Sequence, residues 1–142
     1  MQPISPHLKF FLNLAKIQAV LTRRFDSGLG GLGFTDFMIL FHLSHAEGEK
    51  LRRVDLADKV GLTASGVTRL LAPMEKVGLV KREAHEGDAR VSYVLLAPGG
   101  KRRFQETLER AELLSEELLP TVKNKKMKEV CEVFHELGAT IK

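Results

Sequence analysis

A short helical segment, a glycine and a second helical segment follow one another between Val54 and Met74. Gly61 stands between the two segments, where a turn with positive φ is expected. Ala57 permits close approach of the two helices, and Val67 and Leu70 are spaced to face the crossing. This spacing predicts a helix-turn-helix, although any short corner between two helices can use alanine and glycine in the same way.

Two strands are predicted directly after this unit. Residues Leu79–Glu83 and Val91–Leu96 are rich in β-branched and aromatic side chains, and a polar loop, Ala84–Arg90, separates them. A hairpin in this position is a wing. Arg90 lies near its tip beside Asp88, and an arginine on a projecting ribbon can enter a DNA minor groove. The alternative is a surface ion pair worth about 0–1 kcal/mol.

Positive charge is concentrated in the same region. The segment from Thr63 to Arg103 contains eight basic and four acidic residues, whereas the remaining residues carry equal numbers of each. The whole net charge of +4 therefore lies in this segment. Such a surplus is typical of a surface that binds a polyanion, although an ordinary solvated basic face would give the same count.

Composition limits the class of protein. A length of 142 residues fits one domain, and 44% hydrophobic with 28% charged residues fits a soluble fold. A single cysteine excludes an intramolecular disulfide, and no apolar run approaches the length of a membrane span or a signal peptide. We therefore expect a cytoplasmic protein without contact to a membrane. The low aromatic content argues against a base-stacking platform.

Long amphipathic helices flank the central unit. The first is predicted from a Ser5 cap to about Arg24 and is apolar on two sides, so one side requires a partner. Others are predicted from Pro98 to about Leu119 and over Val122–Leu137. The last helix also has an apolar stripe that a chain of this length can hardly cover. Together the first and last helices predict an obligate dimer.

A glycine-rich segment, Gly28–Gly33, formally matches G-x-G-x-x-G. The dinucleotide-binding fingerprint requires a preceding strand, whereas a helix precedes it here. We therefore interpret the segment as a flexible loop between helices, with a small nucleotide-binding enzyme as the alternative. Thr35 is predicted to cap the next helix, which extends to about Glu47.

The whole chain resembles the multiple antibiotic resistance regulator (MarR) family of bacterial winged helix-turn-helix transcription factors. The residues that carry the resemblance are Asp55–Leu62, Ala64–Leu71, Met74–Arg82 and the wing motif Asp88-Ala89-Arg90, which matches the family's Asp-x-Arg signature.

This resemblance implies a mainly α fold of about six helices with a two-stranded wing. It makes residues 1–142 a single MarR-like domain, with a winged helix-turn-helix DNA-binding region at 35–98 and dimerisation helices at 1–34 and 99–142. It further implies a homodimer that binds a pseudo-palindromic operator on double-stranded DNA. Many members lose DNA affinity when a small aromatic molecule binds between the dimerisation helices and the DNA-binding region, whereas others sense oxidants or metals.

The family's recognition helix corresponds to about Thr63–Val77. Arg90 corresponds to the family's minor-groove arginine and Asp88 to the acid that orients it. The residues expected at the DNA are Thr63, Ser65, Thr68, Arg69, Arg82, Asp88 and Arg90.

Two positions depart from the family pattern. Pro73 lies inside the recognition helix and should kink or loosen it after Leu70, beyond the end that reads bases. Ala97 stands where the family usually has a capping threonine before its long helix. Only a local boundary is affected by this second departure, since Pro98 partly compensates.

Other chemistry is weakly supported. Cys131 and His135 have zinc-ligand spacing on a helix, and His42, His45, Glu47 and Glu49 form a second candidate cluster, but neither completes a site. As the only thiol, Cys131 could act in a redox switch only by bridging subunits or by stopping at sulfenic acid. Catalytic motifs are lacking, so we expect no enzyme, no cofactor and no metal. Two functions remain: a DNA-binding regulator, expected to be a repressor released by a ligand, and a winged-helix module that contacts proteins instead of DNA.

Overall fold

The computed structural model describes residues 2–142, apart from the side chain of Ala89. These residues form six α-helices and one three-stranded antiparallel sheet. The helices are α1 (Pro6–Gly28), α2 (Phe34–His45), α3 (Arg53–Val60), α4 (Ala64–Lys76), α5 (Pro98–Leu118) and α6 (Asn124–Glu136). The strands are β1 (Lys50–Arg52), β2 (Val80–His85) and β3 (Asp88–Leu96). This mainly α architecture with a wing confirms the predicted fold class.

The turn between α3 and α4 has the predicted construction. Gly61 adopts φ 72°, and its N–H donates to the Asp58 carbonyl at 3.1 Å. The Thr63 hydroxyl caps α4 by accepting the Gly66 N–H at 3.0 Å. Ala57 and Val67 are buried at the crossing, so the helix-turn-helix prediction is confirmed.

The wing differs from its predicted shape. Only Glu86 and Gly87 form the turn, because β2 extends to His85 and β3 begins at Asp88. The predicted seven-residue loop is therefore wrong. A β-bulge between Ala84 and His85 adjusts the register before the turn. Arg90 consequently lies within a strand, two residues from the turn.

A third strand was not predicted. β1 has three residues and pairs with the inner half of β3, giving the sheet order β1-β3-β2. Val94 of β3 is opposite Leu51 on one side and Arg82 on the other, and it is fully buried. This pairing fixes the base of the wing to the amino end of α3.

The glycine-rich segment is a packed connection. Leu29 and Leu32 are buried in the core between α1 and α2, and Arg103 Nη2 donates to the Gly30 carbonyl at 2.6 Å. The predicted Thr35 cap is wrong, because α2 begins at Phe34 after Gly33. The carboxylate of Asp26 accepts the Phe34 N–H at 2.7 Å instead, from eight residues upstream.

The core joins α2 to the helix-turn-helix and to α5. Its fully buried members include Ile39, Leu40, Leu43, Leu56, Leu71 and Val94. The start of α5 approaches the residue before β2 so closely that a Cβ at Gly100 would collide with the Leu79 carbonyl. That contact sets the position of the long helix relative to the wing.

Pro73 lies inside α4, which continues as one helix to Lys76, so the expected loosening after Leu70 does not interrupt the helix. Ala97 provides no side-chain cap for α5, and Pro98 occupies the first turn, as predicted.

The outer helices contribute little to the core. Neither α1 nor α6 has a fully buried residue. Within residues 2–142, no helix is both long and apolar enough to cross a membrane.

Candidate nucleic-acid interface

The amino end of α4 presents two hydroxyl groups. Besides capping the helix, the Thr63 hydroxyl lies 3.2 Å from the Ser65 hydroxyl. Ser65 is exposed, one turn before Arg69, which is also exposed. Thr63, Ser65 and Arg69 are therefore exposed to solvent at this end of α4.

Thr68 is more constrained than the sequence suggests. It is half-buried, and its hydroxyl donates to the Ala64 carbonyl at 2.9 Å. The same oxygen accepts a hydrogen bond from Arg53 Nη1 at 3.0 Å. Because a hydroxyl has one donor, the Thr68 hydrogen is already used inside the protein.

Arg82 lies at the opposite end of α4. Its Nε is 2.6 Å from the Glu75 carboxylate in an ion pair that leaves about half of the Arg82 side chain exposed. This pair links β2 to the last turn of α4. The structure therefore separates Arg82 from the amino-terminal residues of α4 and assigns it a partner that the sequence did not indicate.

Asp88 and Arg90 are paired on the wing, as predicted. Asp88 Oδ1 accepts the Arg90 backbone N–H at 2.9 Å and the Arg90 Nε at 3.2 Å. The backbone hydrogen bond and then the side-chain hydrogen bond lower the pKa of Asp88, so its carboxylate stays charged. The Arg90 side chain is 92% exposed. Most of the guanidinium is therefore available to a ligand while one nitrogen is held.

Sequence reasoning missed Arg53, the first residue of α3. Its guanidinium contacts Thr68 on α4, and it lines a cleft together with Arg52 and Arg90. The cleft and the Arg53–Thr68 hydrogen bond thus bring the amino end of α3 together with α4 and with strand β3. The available sequence signal was the cluster of three basic residues at positions 50–53, directly before the predicted helix.

The candidate metal and redox residues are not brought together. Cys131 is exposed, and His135 Nε2 donates to the Ile141 carbonyl at 2.6 Å. His45 Nδ1 lies 2.9 Å from the Phe41 carbonyl. Among the described residues, no group of three or more histidine, cysteine or acidic side chains is placed to hold a metal ion.

The chain is similar to several known proteins. A family model described as the MarR family matches residues 30–91. The transcriptional regulator BldR from Sulfolobus solfataricus is 30% identical, with a TM-score of 0.84 over 96% of this chain and 97% of that one. The HTH-type transcriptional repressor YetL from Bacillus subtilis is 29% identical over 71% of this chain and 62% of its own length.

A third comparison concerns the fold alone. Sco3205, a MarR family transcriptional regulator from Streptomyces coelicolor solved in complex with DNA, is 18% identical. It has a TM-score of 0.85, covering 96% of this chain and 89% of that chain. The helix-turn-helix, the wing with its Asp-x-Arg pair and these matches lead to one conclusion. The chain belongs to the MarR family of transcriptional regulators.

Proposed function

We propose that the chain is a cytoplasmic, dimeric repressor that binds a pseudo-palindromic DNA operator and is released by a small aromatic ligand. The observation that carries the proposal is the arginine-lined cleft between α3 and β3, which the Arg53–Thr68 hydrogen bond joins to α4. In a helix-turn-helix protein the second helix enters the major groove, and a wing can reach the adjacent minor groove.

Each predicted residue has a role in this proposal. Ser65 and Arg69, exposed at the amino end of α4, contact base edges and phosphates. Arg90 enters the minor groove while Asp88 holds its Nε. The remaining predicted residues, Thr63, Thr68 and Arg82, support this arrangement through the contacts that hold α4 in place.

Dimer formation is supported by the outer helices. Several large apolar side chains on α1 and α6 are exposed, and an extended exposed apolar surface is typical of an interaction site. A depression of about 410 Å³ between Phe10 on α1 and Val133 on α6 lies on this surface. A second copy of the chain would bury it. The exposed residues are Leu8, Phe11, Leu12, Ile17, Val130, Val133 and Leu137.

Ligand release is supported by a cavity that is lined by residues of α1, α2 and α5 and by Ile141. Its volume is about 260 Å³, which suits a small ligand. Aromatic side chains line it, and His42 Nε2 is a buried nitrogen without a hydrogen-bond partner within residues 2–142. An aromatic ring with one polar substituent would fill the cavity and satisfy that nitrogen. The aromatic lining residues are Phe25, Phe34, Phe37 and Phe41.

The direction of regulation is proposed from a relative. YetL is named a transcriptional repressor, and family members commonly bind near their own promoter. We therefore expect the operator to overlap the promoter of the gene that encodes this chain, where bound protein would obstruct transcription.

The experiment is a gel-shift titration of the full chain against fragments of its own upstream region. Saturable binding to one fragment, with affinity falling steeply as salt rises, supports the proposal. Binding that is absent from every promoter fragment, or that does not respond to salt, would instead support a winged-helix module for protein contacts.

Ligand release is tested on the fragment that binds. Benzoate, 4-hydroxybenzoate and phenol are added after a thermal-shift screen that also includes metal ions and peroxide. Release by an aromatic compound that also raises the melting temperature supports the assigned class of effector. Release by a metal ion or peroxide alone would contradict it.

A further inference from the structure

A small cleft lies where the amino end of α3 meets the first half of strand β3. Its volume is about 210 Å³, and three of its six lining residues are arginines. The lining residues are Arg52, Arg53, Val54, Arg90, Val91 and Ser92. Because all three arginines carry a full charge at neutral pH, the cleft concentrates positive charge in a small space.

Two of these arginines have a carboxylate partner. Arg52 Nε lies 2.8 Å from Asp55 Oδ2, and its Nη2 lies 3.2 Å from Oδ1 of the same residue. Arg90 is paired with Asp88. Within residues 2–142, Arg53 lies within ion-pair distance of no acidic side chain. The uncompensated positive charge of the cleft is therefore that of Arg53.

Arg53 also has fewer hydrogen-bond acceptors around it than it has N–H donors. It is half-buried, and one Nη1 hydrogen is donated to Thr68 at 3.0 Å. Its Nε is buried, and no acceptor for it lies among the described residues. A guanidinium has five N–H donors in a planar fork, which matches the oxygens of a phosphate. A phosphate in the cleft would supply the negative charge that Arg53 lacks and would accept hydrogen bonds from its Nη groups, whereas the buried Nε is not open to it.

We propose that this cleft binds one backbone phosphate of the DNA duplex, with Arg53 as its central ligand. The inference rests on the proposed DNA-binding function. The first helix of a helix-turn-helix crosses the DNA backbone while the second enters the groove, and Arg53 is the first residue of that first helix. Arg52, Arg90 and the Ser92 hydroxyl surround the same phosphate.

The Arg53–Thr68 hydrogen bond gives the phosphate a second role. It joins the phosphate ligand directly to the first half of the recognition helix α4. A phosphate contact at this position would therefore fix the register of α4 on the duplex, since such contacts orient a protein without reading sequence.

The first test compares the salt dependence of DNA binding by three proteins. A duplex selected in vitro with the wild-type chain is titrated with wild type, Arg53→Gln and Arg24→Gln, of which the last removes an equal charge from an exposed position on α1. Arg53→Gln should weaken binding by about fivefold or more and lower the slope of log K against log salt by roughly 0.9 per bound subunit. Arg24→Gln should leave both values near those of wild type.

The outcomes separate this inference from the proposed function. Steep salt dependence that is the same in wild type and a folded Arg53→Gln variant would overturn the cleft assignment and leave DNA binding intact. Failure of the wild-type chain to select any duplex would overturn both. Circular dichroism and thermal melting establish that the variant is folded.

A second test changes the charge of the DNA instead of the charge of the protein. Single methylphosphonate linkages, which are uncharged, are moved one at a time along the selected duplex and titrated with the wild-type chain. One linkage in each half-site should weaken wild-type binding and have little further effect on Arg53→Gln. Full sensitivity of both proteins at every linkage would contradict a contact between Arg53 and a particular phosphate.

A third arm distinguishes DNA from free phosphate. Inorganic phosphate at millimolar concentration is titrated into wild type and Arg53→Gln without DNA, with binding followed by calorimetry. We expect no saturable binding in this range. Saturable binding that requires Arg53, together with unchanged DNA affinity in Arg53→Gln, would assign the cleft to a soluble phosphate and overturn the proposal.

Discussion

Arg53 on α3 donates a hydrogen bond from Nη1 to the hydroxyl of Thr68 on α4 at 3.0 Å. The two residues are fifteen positions apart and belong to the two helices of the helix-turn-helix. Since Thr68 also donates to the Ala64 carbonyl, this contact ties the first turns of both helices together. The crossing is therefore held by a polar bond as well as by the buried contact around Ala57 and Val67.

This bond gives a first prediction. Thr68→Val should lower the free energy of unfolding by about 1–3 kcal/mol, because the half-buried Arg53 loses an acceptor. Thr68→Ser retains the hydroxyl and should recover most of the loss. Urea unfolding followed by circular dichroism measures both variants. Equal stability of Thr68→Val and wild type would show that the bond contributes nothing.

The wing gives a second prediction. Arg90→Ala should reduce specific DNA binding by about 1–3 kcal/mol and leave the dimer intact, because Arg90 is 92% exposed and supports no core contact. Fluorescence anisotropy with a labelled operator measures the affinity, and light scattering measures the mass. Lys128→Ala on α6 is the control for loss of one exposed charge. Unchanged affinity would remove the wing from DNA binding.

The outer helices give a third prediction. Leu12→Lys should dissociate the dimer while each chain stays folded, because Leu12 is 57% exposed and lies outside the core of a single chain. Asn13→Lys, at an exposed polar position on the same helix, should leave the dimer unchanged. Light scattering coupled to size-exclusion chromatography gives the mass. A dimeric Leu12→Lys variant would place the interface elsewhere.

Leu14 lies on the same helix and is less exposed than Leu12, so its replacement is a more severe test of the interface. Leu14 is half-buried, and Leu14→Lys should therefore dissociate or unfold the dimer. A folded Leu14→Lys variant that binds its operator would contradict the proposed interface.

DNase footprints of the wild-type chain should show half-sites about one helical turn, or ~10 base pairs, apart.

The cavity gives a fourth prediction. Ser115→Leu adds apolar volume at the cavity wall, where Ser115 is exposed and bonds only to its own helix within the described residues. Thermal stabilisation by an aromatic compound that releases wild type should fall, whereas operator affinity should persist. Glu109→Leu, on the outer face of α5, is the control. Undiminished stabilisation of Ser115→Leu would place the effector in another site.

His42 gives a fifth prediction, on pH. Burial, followed by the charges of Lys59 and His45, lowers the pKa of His42 below its usual 6.5. The unfolded chain therefore binds more protons than the folded chain below this pH, and stability falls as the pH decreases through about 6.5. His42→Leu should reduce this slope, whereas His7→Leu at an exposed position should retain it. Melting temperatures between pH 5 and 8 measure the effect.

The parts of the fold that depend on local signals could be predicted from the sequence. Gly61 needs a positive φ and Thr63 can cap a helix whatever the rest of the chain does. The apolar periodicity of α1, α5 and α6 likewise gave their existence and approximate ends. These features require only neighbouring residues, and the structure has them where the sequence placed them.

Features that depend on distant residues could not be predicted in this way. α2 is capped by Asp26 from eight positions upstream, so the local preference of Thr35 for a cap position was misleading. Strand β1 has three residues, and it exists because β3 offers an edge more than forty positions later. Its short length left no periodic pattern to recognise.

The contacts of the candidate site likewise divide into those between neighbouring residues and those between distant residues. Asp88 and Arg90 are two residues apart, so their pairing could be read from the sequence. The contact between Arg53 and Thr68, and the ion pair between Arg82 and Glu75, require the helix crossing and the sheet first. Apart from the three basic residues at positions 50–53, no local sequence pattern distinguishes Arg53 from a solvated surface charge.

Gly100 makes the start of α5 sensitive to even one added carbon atom. The Leu79 carbonyl lies nearest to this position, ahead of the Leu96 side chain, and a backbone group cannot change rotamer to absorb a displacement. A tilt of the long helix is therefore passed on as movement of the wing and of α4. In a dimer, the distance between the two winged helix-turn-helix regions would consequently respond to small changes among the outer helices. No rearrangement inside either region would be needed.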